Sequence, residues 1–303
     1  MKPHLQRYLL RPLLWLLGSL LVGLIRATGQ TRIQRISHYS VTGPIIARLT
    51  RLLLAKKNHY LDDNLRRVFP DASVEQRQHI RQRYYANLLL TATESLTMDG
   101  NERQRSQIDG LENLQHARDR QQGILFVSGH INNWEMNRRI IEQLGFPAWE
   151  LYRDFADTRF DYLTFNRRFR AGPKMISTAR ISELIGHLSN GDNAHILIDI
   201  KVKKGRNGQQ LDFAGQPAWT STFAAEMALR HNLALIPTYT QREANGHYRQ
   251  IFEASLTSEH PTANDHIQAS ACQLTERINQ SLSNQLKQNP ASWLLWDTNR
   301  WGP

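Results

Sequence analysis

The sequence predicts an α/β fold: a single mixed, largely parallel sheet with helices on both faces, preceded by an N-terminal membrane-anchoring helix and a basic helical segment. Three observations carry that expectation. From residue 123 onward, short β-prone runs alternate with helical patterns of about 10–15 residues, as strands joined by crossovers require. Between residues 30 and 117 the pattern is helical instead. Ahead of both lies a long uncharged apolar run flanked by arginines. No repeat, low-complexity tract or Pro/Gly/Ser linker divides the 303 residues, a length one α/β domain with a large core can accommodate. The expected division is an anchor over 1–29 and one domain over 30–303, helical over 30–117 and α/β over 118–303.

The N-terminal run "YLLRPLLWLLGSLLVGLI" is lipophilic apart from Arg11 and is closed by Arg26. Pro12 to Ile25 gives 14 uncharged residues, and counting from Tyr8 with Arg11 snorkelling gives 18. A span needs about 20, so a spanning helix and a helix lying in the interface both fit. A cleaved signal peptide fits poorly, because Arg26 follows the apolar core directly and "IRAT" lacks small residues at both cleavage positions. The basic flanks and the basic stretch 32–67 predict that the bulk of the chain lies on the cytoplasmic side of a membrane. Next, "PIIARLTRLLLAKK" is basic and amphipathic, and "SVEQRQHIRQRYYANLLLTATESL" starts at a Ser73 N-cap after Pro70-Asp71.

The α/β part reads as strand "GILFVSG", a helix over 133–144, strand "AWELYR", a helix near 157–170 and helix "ARISELIGHLSNG". Strand "AHILIDI", helix "TSTFAAEMALRHN", strands "LALIPTYTQ" and "YRQIFEA", and a helix over about 264–288 complete it.

Charge and cysteine narrow the function classes. The net charge is +11, but residues 1–70 hold twelve Lys or Arg against Asp62 and Asp63, so nearly all of the excess sits there, among apolar residues. Basic residues interleaved with long apolar runs suit an anionic membrane surface better than a nucleic-acid groove, so no nucleic acid is expected. Cys272 is the only cysteine, which excludes an intrachain disulfide and C-x-x-C metal or redox chemistry.

The stretch "ILFVSGHINNWEMNRRIIEQL" stops as a strand at Ser128-Gly129 and restarts as a helix, with His130 and Glu135 at the turn. Asn132 and Asn133 stand where an N-cap is wanted, and a carboxylate in the first helical turn is favoured by the exposed amides. That accounts for Glu135 without any chemistry. His130, after a glycine at a strand's carboxyl end, has no such local reason. An imidazole held by a carboxylate is a general base suited to a hydroxyl proton near neutral pH. There is no H-E-x-x-H, G-x-S-x-G or Walker loop, so direct transfer to an acceptor hydroxyl fits better than a covalent intermediate. The pair reads both ways, as a helix cap or as a base with its carboxylate.

Taken together, the anchored N-terminus, "NLRRVFPDASVEQR", "FVSGHINNWE" and "DFAGQPAWTSTFAAEMALRHNLALIPTYTQR" resemble the late acyltransferases of lipid A biosynthesis, in the lysophospholipid-acyltransferase-like superfamily. The resemblance covers nearly the whole chain in order. Its H-x4-D/E signature is short, but the N-L-x-x-x-F-P and F-x-G-x-x-x-x-T blocks make the combination specific. It implies an acyl chain moved from acyl carrier protein to a hydroxyl of a glycolipid acceptor, a lipid A precursor, at the inner membrane and without a cofactor. By that analogy His130 matches the base and Glu135 its orienting carboxylate. Arg153 in "LYR", and Arg168 and Arg170 in "NRRFRAG", match groups that would bind phosphate or an oxyanion. Asp199 in "LIDIK" matches a similar family aspartate, and could equally pair with Lys201, Lys203, Lys204 or Arg206. Trp134 and Trp219 would line an acyl channel or pack the core. The C-terminus departs from the family pattern W-x-H-x-R-[FW]: "WLLWDTNRWGP" keeps Arg300 and Trp301 but has Asp297 and Thr298 around the expected histidine.

Overall fold

The computed structural model describes residues 58–98, 100–152, 174–205, 207–243, 247–257 and 267–302. The anticipated anchor, the basic segment before residue 58 and the helix near 157–170 lie outside them. Among the described residues no helix is long and apolar enough to cross a membrane.

Seven strands form one sheet: β1 (Ser106–Asp109), β2 (Ile124–Ser128), β3 (Ala148–Tyr152), β4 (Lys174–Ser177), β5 (Asn193–Leu197), β8 (Ala234–Arg242) and β9 (Tyr248–Phe252). Their order is β1-β9-β8-β2-β5-β3-β4. Every neighbouring pair is parallel except β8 and β9. These two follow one another across a short connection, which allows an antiparallel pair, whereas the others need crossovers. The expected mixed, mostly parallel sheet is the one observed.

Four strands were not anticipated. β1 falls within the stretch read as helical; like β4, it is a four-residue edge strand, too short to show an alternation. β6 (Gly208–Phe213) and β7 (Gln216–Ser221) form a separate antiparallel hairpin whose register leaves Ala214 and Gly215 as a two-residue turn. Both have positive φ, 58° and 85°, as the hairpin turns matching strand twist require. Asn or Asp at the first position would have announced that turn; Ala214 does not. Ser283 Oγ accepts the Ala214 N–H at 2.8 Å and steadies it.

The helices are α1 (Asn58–Val68), α2 (Val74–Thr97), α3 (Leu111–Asp119), α4 (Trp134–Gln143), α5 (Ile181–Ser189), α6 (Phe223–Arg230) and α7 (Ile267–Gln288). Ser73 caps α2 as expected, in a reciprocal box with Gln76. The central strand β2 shows why both sheet faces are covered. Ile124 and Phe126 join an apolar cluster with Leu114 and Ala117 of α3 and Ile141 of α4. Leu125 and Val127 join a larger one with Leu184 of α5, Ala228 of α6, Leu282 of α7, and Leu61 and Tyr84 of α1 and α2. Each such side chain, fully buried, contributes about 1.5–3 kcal/mol, and a strand apolar on both faces has no register in which either face could turn to water.

Candidate functional site

Two neighbouring strands of this sheet send their chains to opposite faces. After β2 the chain enters α4, which packs on the face of Ile124 and Phe126. After β5 it passes through the hairpin to α6, on the face of Leu125 and Val127. A crevice opens at the carboxyl ends of parallel strands where such connections diverge. The strands are in register, Ser128 opposite Leu197, so the residues two beyond each end, His130 and Asp199, meet there.

They are hydrogen-bonded twice. His130 Nδ1 lies 2.8 Å from Asp199 Oδ1, and the His130 backbone N–H donates to Asp199 Oδ2 at 2.7 Å. A carboxylate only accepts, so Nδ1 is the donor, and in the neutral ring Nε2 carries the lone pair. Trp293 Nε1–H donates to Asp199 Oδ2 as well, at 2.8 Å. Burial by itself would push the fully buried Asp199 carboxyl up; the His130 imidazole and the N–H groups of His130 and Trp293 outweigh it and hold the carboxyl below the usual carboxylate range. Gly129 makes this closeness possible, because a Cβ there would lie 2.8 Å from Asp199 Oδ2. The His130 side chain stays 16% exposed, with the half-buried Trp134 ring 4.9 Å away, centroid to centroid.

The turn is held from two sides. On one, Asn132 adopts φ 46°, a left-handed conformation that Asn tolerates, and its side chain donates to Thr240 O at 2.9 Å. Thr91 Oγ1 of α2 donates to Asn132 O at 3.2 Å. Asn133 is the N-cap of α4, accepting from Met136 N at 3.2 Å, and donates to Glu94 Oε2 at 3.2 Å. Glu94 in turn receives Arg242 through Nε and Nη2 at 2.7 and 2.8 Å, a buried bidentate pair. Burial works against the Arg242 charge, but Glu94 more than offsets it, so the guanidinium is bound above its ordinary pKa. On the other side runs the C-terminal segment. Leu294 N donates to His130 O and Asn132 N to Ser292 O, both at 2.8 Å, and Ile131 bridges Trp293.

The motif blocks of the sequence meet in that same segment. Asn64 Nδ2 donates to the carbonyls of Trp296 and Thr298 at 2.8 and 2.9 Å, and Phe69 lies 6.0 Å from the Trp296 ring. Phe213, whose block continues through Gly215 to Thr220, contacts the rings of Trp293 and Trp301 at 5.7 and 5.9 Å. Thr220 Oγ1 accepts from Arg300 Nη2 at 2.7 Å. Arg300 also donates to Trp219 O at 2.6 Å and lies over the Phe213 ring at 4.7 Å. Burial pushes this guanidinium down to about 10, and Asp199 works the other way. Trp219 is half-buried on β7, and Asp297 lies against the buried Tyr84 phenol, which burial first and Asp297 second push up.

Of the residues anticipated for the site, His130 and Asp199 are brought into direct contact. Lys201 reaches Gly302 O at 2.9 Å, and Lys203 and Lys204 are exposed. Glu135 is buried in the first turn of α4. The carboxylate on His130 Nδ1 is thus Asp199, where the spacing within the turn pointed to Glu135. Arg153, Arg168 and Arg170 lie outside the described residues. Spacing gave no hint of Trp293 or of the Glu94–Arg242 pair; strand order, which brings residues 69 positions apart together, was the missing information. Among the described residues no group of three or more His, Cys, Asp or Glu is arranged to hold a metal ion.

The chain matches the bacterial lipid A biosynthesis acyltransferase family over residues 3–302. It is 23% identical over 154 residues to the lipid A biosynthesis palmitoleoyltransferase of Escherichia coli strain K12, covering 50% of each chain. The lipid A biosynthesis acyltransferase of Shigella flexneri matches to the same extent. The chain spans about half the length of the curated relatives it matches. From the match along nearly its whole length, this chain belongs to the bacterial lipid A biosynthesis acyltransferase family.

Proposed function

We propose that the protein transfers an acyl chain from acyl carrier protein to a hydroxyl of a lipid A precursor at the cytoplasmic face of the inner membrane, with His130 as general base. The observation that carries this reading is the His130–Asp199 contact at the carboxyl ends of β2 and β5, which holds the ring through Nδ1 and, in the neutral ring, leaves the Nε2 lone pair as the base. The acceptor hydroxyl gives its proton to Nε2 as its oxygen attacks the thioester carbonyl carbon. The tetrahedral intermediate collapses with cleavage of the C–S bond, and the carrier thiolate takes the proton from the imidazolium. Asp199 orients the ring and stabilises the positive charge that forms on it.

Glu135, in the first turn of α4, is assigned to the site from its place in the family pattern. Arg153, Arg168 and Arg170 are assigned, from their place in the family pattern, to the acceptor's phosphates or to the developing oxyanion. The exposed Lys203 and Lys204, a few residues past Asp199, favour an acidic carrier as donor. Residues 1–29 are assigned to membrane attachment, supported by the family and by their apolar, arginine-flanked composition. The palmitoleoyl chain named for the Escherichia coli relative supports a long acyl chain as the transferred group.

Mass spectra of lipids from cells with and without the protein test the proposal. A gain of one acyl unit on lipid A is the expected result. The same gain on another glycolipid overturns the acceptor, and unchanged lipids overturn the activity.

A further inference from the structure

Three indole N–H groups lie in the C-terminal segment, and they differ in what they bond. Trp296 Nε1–H donates to Pro290 O at 2.7 Å and Trp301 Nε1–H to Phe213 O at 3.2 Å. Both satisfy a buried donor with a nearby backbone carbonyl, which is all that packing demands. Trp293 Nε1–H instead donates to Asp199 Oδ2, the carboxylate on the general base. Building on the reading of His130 as that base, we propose that Trp293 is a positioning residue, whose indole N–H fixes the Asp199 carboxylate so that Oδ1 faces His130 Nδ1. The C-terminal segment is then a working part of the site.

The geometry argues for this in steps. Oδ2 accepts from two directions, the His130 backbone N–H at 2.7 Å and the Trp293 indole at 2.8 Å. With one oxygen held by both, the carboxylate cannot turn about its Cβ–Cγ bond, and Oδ1 stays on the imidazole. Trp293 is itself immobilised. Its backbone bridges Ile131, and its ring is packed against Trp296 at 4.8 Å edge-on, Trp301 at 5.5 Å and Phe213 at 5.7 Å. The donor is also neutral, so it orients the carboxylate without removing the charge that must stabilise the imidazolium. A cation in direct contact with Asp199 would compete for that charge. The arginine of the same segment stands off from it: Arg300 is buried on neutral oxygens, those of Trp219 and Thr220, and feels Asp199 only at longer range.

The test is a double-mutant cycle on the full-length protein with Trp293→Phe, Asp199→Asn and both, read by transfer kinetics and by urea unfolding. Trp293→Phe keeps most of the ring and removes the N–H. It should lower kcat about tenfold or more, the effect of one hydrogen bond to a charged group, with KM within about twofold, since the carboxylate acts on the proton-transfer step. In the Asp199→Asn background the same change should cost turnover no more than about twofold, because the carboxylate it orients is gone. Wild-type kcat in Trp293→Phe, or an equal loss in both backgrounds, would overturn the proposal and leave Trp293 as packing.

The unfolding arm keeps this separate from the function. If the wild-type protein transferred no acyl group, the proposed activity would fall, yet stabilities of the four proteins at neutral pH still decide the contact: non-additive losses support it and additive losses refute it. Should Trp293→Phe not fold, the Trp293 indole proton resonance serves instead. It should move upfield in Asp199→Asn, and an unmoved signal contradicts the contact.

Discussion

The turn that carries His130 is gripped on its two sides by different chemistry. Toward α2 and β8 the grip ends in a closed charge pair: Asn133 bonds to Glu94, and Glu94 is taken up bidentately by Arg242. Toward the C-terminus it consists of neutral donors, the backbone of Leu294 and the indole of Trp293. The first side spends its charge on itself and sets where α4 begins. The second leaves the charge of Asp199 facing the imidazole. Breaking the first should therefore cost mainly stability, and breaking the second mainly turnover.

Each of the following changes sharpens or breaks that contrast. His130→Ala removes the group both sides serve, and should lower turnover by about 10²–10⁴-fold in a folded protein, as measured with acyl carrier protein as donor. Arg242→Met strands the buried Glu94 charge and should cost about 3–5 kcal/mol in urea unfolding, with kcat reduced less than in Asp199→Asn at a temperature where it remains folded. A larger loss of turnover than Asp199→Asn shows would break the division of labour. Gly129→Ala drives a methyl against Asp199, and Leu282 Cδ2 at 3.3 Å blocks its escape. It should cost about 1–3 kcal/mol and, on the proposed mechanism, reduce kcat as well, because the atom displaced belongs to the carboxylate bonded to His130.

The smallest effect concerns acid. The Asp199 carboxyl is held below its usual range, so the stability this contributes is fully present above the unfolded aspartate value of about 3.9 and is lost as pH falls through the lower folded value. The gap in unfolding free energy between wild type and Asp199→Asn should therefore narrow on acidification below that point. A gap independent of pH would mean that the carboxylate's charge contributes nothing to holding the turn.

How far all this could be read from the sequence depended on distance along the chain. The strand from Ile124, the cap at Asn133 and the N-cap at Ser73 were legible, because each is decided by residues within a few positions of one another. The hairpin of β6 and β7 escaped because Ala214 occupies a left-handed position usually marked by Asn or Asp. The edge strands β1 and β4 escaped because four residues are too few to show an alternation. The contact between His130 and Asp199 escaped for another reason. Glu135 is near in sequence, whereas Asp199 becomes near only because β5 inserts between β2 and β3, an order no local pattern encodes. Arg300 and Trp301 were visible as residues of an atypical C-terminal motif, but the contact of Trp293 with Asp199 depends on where that segment lies, against the turn.

Which carboxylate works with His130 is the point on which the account turns, and kcat of purified, folded Asp199→Asn beside Glu135→Gln measures it most directly. Asn keeps the size of Asp199 but lacks the charge that holds Nδ1–H and stabilises the imidazolium, so turnover should fall by about 10²-fold or more, below that of Glu135→Gln. Near wild-type kcat in Asp199→Asn, with Glu135→Gln strongly impaired, would contradict the assignment and return the orienting role to the carboxylate within the turn.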